Sequence, residues 1–138
     1  MNCAGVIGPV GAVQQTAPDE WRRTIDINLT GTFMSCRAVL PRMLERRSGQ
    51  IVNFASAAGV EHSAGQAAYN ASKAAVISLT KTLGREVHGS GVRVNAICPG
   101  PVDTPLIGEF LDQDSSEMAE RVRRNHVAHQ DMKDEGIV

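Results

Sequence analysis

The sequence predicts an α/β protein, part of a doubly wound parallel sheet. Two short apolar runs, 51–55 (IVNFA) and 92–98 (VRVNAIC), have the length and β-branched content of buried strands. A long stretch of helical spacing precedes each one. Strands that alternate with helices in this way belong to parallel sheets joined by crossovers. At 138 residues the chain has room for one domain with a real core, and 1–138 is expected to form it.

Residues 1–15 open with an Asn-Cys-Ala-Gly turn and a loop rich in Gly and Pro, with hardly room for a strand ahead of the turn. Thr16 has an N-cap side chain, Asp19 stands at the capping-box distance, and Pro18 falls in the first turn. These begin a helix expected over 17–47, with Trp21, Ile25, Leu29 and Phe33 on one apolar stripe. Pro41 is expected to kink it, because the ring removes a hydrogen bond and crowds the preceding turn. Ser48-Gly49 stops it. After the first strand come a loop of small residues and a second helix over 65–88. Its Ala68, Ala71, Ala75, Leu79, Leu83 and Val87 recur at helical spacing, and Gly89 and Gly91 end it. The second strand closes at Pro99-Gly100. Residues 103–125 read as a loop and a polar helix, and 126–138 form an atypical tail. A parallel sheet covered on both faces needs more strands than these, so only part of one is expected, with two exposed edges.

Charge and composition exclude several functions. A net charge of −1 recommends neither nucleic acid nor an anionic membrane as partner. No apolar run approaches the length of a membrane span, and the N-terminus has no signal pattern. Three widely spaced cysteines, Cys3, Cys36 and Cys98, fit reduced thiols and a cytoplasmic location. His126 and His129 have no cysteine or third histidine spaced to complete a metal site, so no metal is expected.

One segment, 56–73 (SAAGVEHSAGQAAYNASK), names a chemistry. Tyr69 and Lys73 are four residues apart, which on a helix places their Cβ atoms roughly 5–6 Å from each other on one face. Ser56 follows directly on the first strand, and open α/β sheets place their active sites at the carboxyl ends of strands. A phenol has an ordinary pKa of about 10 and is a poor proton shuttle at neutral pH. A cation held nearby favours the phenolate, and bringing Tyr69 into a useful range asks roughly 3–4 kcal/mol of Lys73 and any other positive charge. Tyr69 could then take a proton from an alcohol or give one to a carbonyl oxygen. The Ser56 hydroxyl would bond the same oxygen. A serine hydrolase built on Ser56 finds little support, since no G-x-S-x-G elbow surrounds it.

These residues, in their order along the chain, resemble the short-chain dehydrogenase/reductase family. Asn2-Cys3-Ala4-Gly5 is similar to the family's Asn-Asn-Ala-Gly turn, with Cys3 in place of the second Asn. Asn28, in INLTGTF, matches the helix asparagine that supports a proton-relay water through its main chain. Ser56, Tyr69 and Lys73 match the catalytic serine, tyrosine and lysine. The segment 99–104 (PGPVDT) resembles the Pro-Gly-x-x-x-Thr stretch that contacts the nicotinamide carboxamide. The resemblance covers residues 1 to about 125.

It implies a Rossmann-like fold, NAD or NADP as cofactor, and a secondary alcohol or ketone as the small-molecule substrate. It assigns catalysis to Asn28, Ser56, Tyr69 and Lys73. It assigns cofactor binding to Asn2, Ala4, Gly5, Tyr69, Lys73, Pro99, Gly100, Val102 and Thr104, with Lys73 also bonding the nicotinamide ribose. The stretch 105–124 becomes a flap over the substrate, with Leu106, Ile107 and Phe110 as apolar contacts. The two long helices become a homo-oligomer interface, where Ala67, Ala74 and Ser78 permit close packing. The family's glycine-rich G-x-x-x-G-x-G turn, the residue that selects NAD over NADP, and the final strand have no counterpart in this sequence. The chain is therefore expected to be a truncated domain lacking the N-terminal βαβ units. The alternative to an active oxidoreductase is an inactive remnant that serves as an oligomerisation or interaction module.

Overall fold

The computed structural model describes residues 1–102 together with Gly108, Asp112 and Glu120. The chain divides into a unit of Met1–Gly100 and a second of Pro101–Val138. In the first unit a 3-10 turn, Val13–Gln15, leads into α1 (Pro18–Ile25), a wide π turn (Asp26–Thr30) and α2 (Gly31–Glu45). Strand β1 (Gly49–Phe54), the short α3 (Ala58–Glu61), α4 (Ala67–Glu86) and β2 (Val92–Ile97) complete it. The expected loop, 103–125, and the tail, 126–138, lie outside the described residues.

The strands are parallel, with Ile51 opposite Val94 and Asn53 opposite Ala96. On its other side β1 receives Asn2 in a one-residue parallel bridge: Asn2 N–H donates to Val52 O at 2.9 Å and Phe54 N–H to Asn2 O at 3.1 Å. β1 is thus central, and the N-terminal turn hangs from its far edge. Side chains alternate across a strand, so Ile51 and Asn53 of β1 and the following Ala55 are buried, whereas Val52 and Phe54 are half-buried. This makes the domain a fragment of an α/β sheet, as the strand count implied.

Three features of the helices differ from expectation. The first helix is not capped by Thr16. Ala17 is the N-cap and Pro18 occupies N1, where its missing donor costs nothing. Asp19 pairs with Arg22 at 2.6 Å and not with the backbone ahead of it. The helix is also interrupted earlier than Pro41: α2 runs through Pro41 to Glu45, while the irregularity lies at 26–30, where Gly31 N–H reaches back to Asp26 O. π turns of this kind are frequent at functional sites, and Asn28 sits at its middle.

The third difference is the inner face. An apolar stripe ordinarily faces the core, yet Trp21 is 38% and Phe33 45% exposed. The buried row is Thr24, Asn28, Thr32 and Cys36, again four apart. The threonine hydroxyls return to their own helix, Thr24 to Glu20 O at 2.9 Å and Thr32 to Asn28 O at 2.8 Å, so they pack without an unmet donor. Likewise α4 buries Asn70, Ser72, Lys73 and Thr80 alongside Ala68, Tyr69 and Val76, while Ala71 of the expected row is exposed. No helix among the described residues is long and apolar enough to cross a membrane.

Candidate active site

The site is assembled by hydrogen bonds between four segments. Asn53 of β1, wholly buried, accepts from Asn2 Nδ2 at 2.8 Å and donates from Nδ2 to Thr80 Oγ1 of α4 at 2.9 Å. The Cys36 thiol of α2 joins at 3.6 Å from Asn53 Oδ1, and burial pushes its pKa up. This junction fixes the start of the turn formed by Asn2, Cys3, Ala4 and Gly5. Its far end is held by Asn28, whose Oδ1 accepts from Val6 N–H at 2.8 Å and whose Nδ2 donates to Val6 O at 2.9 Å and Ser72 Oγ at 3.0 Å. Ser72 in turn donates to Tyr69 O at 2.7 Å. One buried amide therefore links the N-terminal turn to the helix that carries Tyr69 and Lys73.

Gly5 lies between these groups. A Cβ there would stand 3.3 Å from Asn28 Oδ1 and 3.4 Å from Lys73 Nζ, so a side chain would crowd both. Lys73 is a buried residue whose ammonium donates to Phe54 O at 2.8 Å and stands 5.7 Å from the Tyr69 ring centroid. An ammonium carries three donors, and Phe54 O is its one hydrogen-bond acceptor among the described residues. A dinucleotide's ribose hydroxyls fit that donor set. The residues present therefore suit the nicotinamide end of such a cofactor.

Ser56 follows β1 at the same end of the sheet. Its Oγ accepts from Ala58 N–H at 3.2 Å, and Ala57 N–H donates to Pro99 O at 2.9 Å, drawing Pro99 and Gly100 beside the serine loop. The expected lowering of the Tyr69 pKa is not seen among the chain's own groups. Burial dominates and raises it above 10.0, with the Ser56 hydroxyl pulling the other way. The Ser56 oxygen accepts from Ala58 N–H, which leaves its O–H as the donor toward the phenol. Lys73 is itself lowered by burial.

The structure thus brings Asn28, Ser56, Tyr69, Lys73, Asn2, Gly5, Pro99 and Gly100 to one end of the sheet. Ala4 is an exposed part of the same turn. Val102 is exposed and belongs to the second unit. Thr104 and the flap 105–124 lie outside the described residues. Sequence reasoning missed Asn53 and Ser72. Only Ser72 carried a signal, since it lies three residues after Tyr69 on the same helix.

The geometry has close counterparts. Residues 1–115 match the short chain dehydrogenase family. The chain belongs to that family. A curated relative, the inactive 2-(S)-hydroxypropyl-CoM dehydrogenase 2 of Xanthobacter autotrophicus, is 44% identical over 124 residues, covering 89% of this chain and 54% of the relative. Among solved structures, levodione reductase superposes with a TM-score of 0.81 at 33% identity, over 88% of this chain and 47% of that one. NAD+-bound xylitol dehydrogenase gives 0.75 at 36% identity, over 84% and 46%. The chain spans about half the length of the relatives it matches. As a member of this family it is a fragment of a Rossmann-like α/β sheet, of a kind built around NAD(P).

Proposed function

We propose that this chain performs the proton-transfer part of an NAD(P)-dependent oxidoreductase that interconverts a secondary alcohol and a ketone. The observation that carries it is the convergence of Ser56, Tyr69 and Lys73 beside the Gly5 turn, with Lys73 tied to Phe54 O and Asn28 tied to Val6. When bound, the dinucleotide supplies or accepts the hydride and, in its oxidised form, a positive charge. Tyr69 takes the hydroxyl proton from the alcohol or returns it to the carbonyl oxygen. Ser56 donates a hydrogen bond to that same oxygen, and Lys73 holds ribose hydroxyls through its remaining donors. Because burial raises Tyr69, the base form depends on the charge arriving with the cofactor. Asn2, Ala4, Gly5, Pro99 and Gly100 form the rest of the nicotinamide contact, and Asn28 supports the relay water.

Calorimetric titration with NAD(H) and NADP(H) tests the reading, and no binding at millimolar cofactor would sink it. In a chain that binds, Tyr69→Phe is expected to keep the fold and the cofactor while turnover falls by about 10²–10⁴. Retained turnover removes Tyr69 as the proton donor.

A second reading, an interaction module without turnover, is favoured by the exposed apolar side chains Trp21, Phe33, Met34, Val39 and Leu44 on α1 and α2. Self-association through the helices α1, α2 and α4 is compatible with either function. A cytoplasmic location accords with both.

A further inference from the structure

Between β1 and α4 the chain makes one short helical turn, α3, and this turn determines where Ser56 stands. Ala58 N–H donates to Ser56 Oγ at 3.2 Å, Gly59 N–H to Ser56 O at 3.0 Å, and Ala57 N–H to Pro99 O at 2.9 Å. On its inner side the turn rests on α4 at buried Gly59. A Cβ built there would lie 2.8 Å from Lys73 C, 2.9 Å from Ala74 N and 3.0 Å from Lys73 O. All three neighbours are helix backbone, which cannot swing aside as a side chain can. Further along, Asn70 Nδ2 donates to Ser63 O at 2.6 Å and pins the connection to α4 from the other end. The turn is therefore clamped on both flanks, and its distance from α4 is set at Gly59.

We infer that Gly59 is a positioning residue: by lacking a side chain it lets the Ser56 turn sit directly on the helix backbone at Lys73, and so fixes Ser56 against Tyr69. The inference deepens the oxidoreductase reading and rests on it for its catalytic meaning. A methyl group at 59 needs ordinary carbon contacts of about 3.5–4.0 Å. The turn must then retreat by roughly 0.5–1 Å, and Ser56 goes with it. Displacements of that size in a reacting constellation cost up to about 100-fold.

The test is Gly59→Ala beside Ser56→Ala and the double variant, read first without cofactor or substrate. Tyr69 is the chain's single tyrosine, so a near-ultraviolet tyrosinate titration reports that phenol alone. Ser56 lowers the phenol's pKa, so losing its reach must raise the midpoint. Gly59→Ala is expected to raise it as Ser56→Ala does, and the double variant to raise it no further. Gly84→Ala is the control, because its Cβ would meet Val94 O at an ordinary 3.5 Å, and it should leave the midpoint alone. In an active preparation, Gly59→Ala should lower kcat/KM by about 10- to 100-fold with cofactor affinity retained. An unmoved midpoint, or additive shifts in the double variant, overturns the inference. So does a Gly59→Ala chain with no cooperative melt, because the glycine then serves the whole fold and not the site. Absence of turnover in every variant would count against the oxidoreductase reading alone, as the titration needs no turnover.

Discussion

Asn28→Ala should damage the fold far more than a helix asparagine ordinarily would. The side chain is 1% exposed and makes three hydrogen bonds, two to the main chain of Val6 and one to buried Ser72. A typical hydrogen bond contributes about 1 kcal/mol net, and a buried group left without its partner costs about 1–3 kcal/mol. Truncation removes all three bonds and strands the N–H and C=O of Val6, which is only half-buried, so water recovers part of the loss. The sum is about 3–5 kcal/mol, a large share of the 5–15 kcal/mol that holds a domain together. For a chain of this size that corresponds to a fall in Tm of roughly 10–20 °C. Urea unfolding of Asn28→Ala against the exposed Asn95→Ala measures it, with the second variant expected within about 0.5 kcal/mol of wild type. Asn28→Asp keeps the acceptor for Val6 N–H, loses both donors and buries a charge, so it should fare no better. If Asn28→Ala unfolds within about 1 kcal/mol of the parent, the amide is not the clamp that joins the N-terminal turn to α4.

Two further outcomes follow from burial. Tyr69 is raised above 10.0 by desolvation, so the folded chain keeps a proton that the unfolded chain releases; this contribution is complete below about pH 10 and is lost as pH rises through the folded value. Unfolding free energies of wild type and Tyr69→Phe should therefore run parallel below that pH, and wild type should lose ground above it; a constant gap would mean the phenol is not desolvated. Phe33→Glu, on the exposed row, should shift the sedimentation profile to smaller species while leaving the circular dichroism spectrum unchanged. An identical mass distribution would remove that row as a self-association surface.

The strands were legible because a parallel strand leaves a short, nearly continuous apolar run, and 51–55 and 92–98 differ from the observed strands only at their ends. The shared face of Tyr69 and Lys73 was legible because helical spacing alone places them there. The inner face of α1 and α2 was not, since the hydrophobic stripe gives the side a helix offers to an apolar surface without saying which surface. Thr24, Thr32 and Cys36 are small enough for close approach, and their polar atoms are satisfied, the hydroxyls within their own helix and the thiol by Asn53, a solution with no signature in hydropathy. α3 was invisible for a related reason. Its four residues, AGVE, have no helical pattern and are held by Gly59 against α4 and by Ala57 against Pro99. The expected cap failed because Thr16 and Asp19 match a motif while Pro18 fixes the helix start one residue later.

The inversion of α1 and α2, with hydroxyls and an amide inside and tryptophan and phenylalanine outside, separates two kinds of mutational freedom. An oily interior accepts many shapes at small cost, whereas a row of directed polar contacts accepts almost none. The inner row is thus frozen by geometry: Asn28 and Cys36 answer to partners on other segments, and Thr24 and Thr32 to their own helix. The outer residues Trp21 and Phe33 keep 38% and 45% of their surface in solvent and have no directed polar contact to preserve. A lineage carrying this fold can redraw the outer face one residue at a time, altering what the surface adheres to, while the chemistry behind it stays where it was.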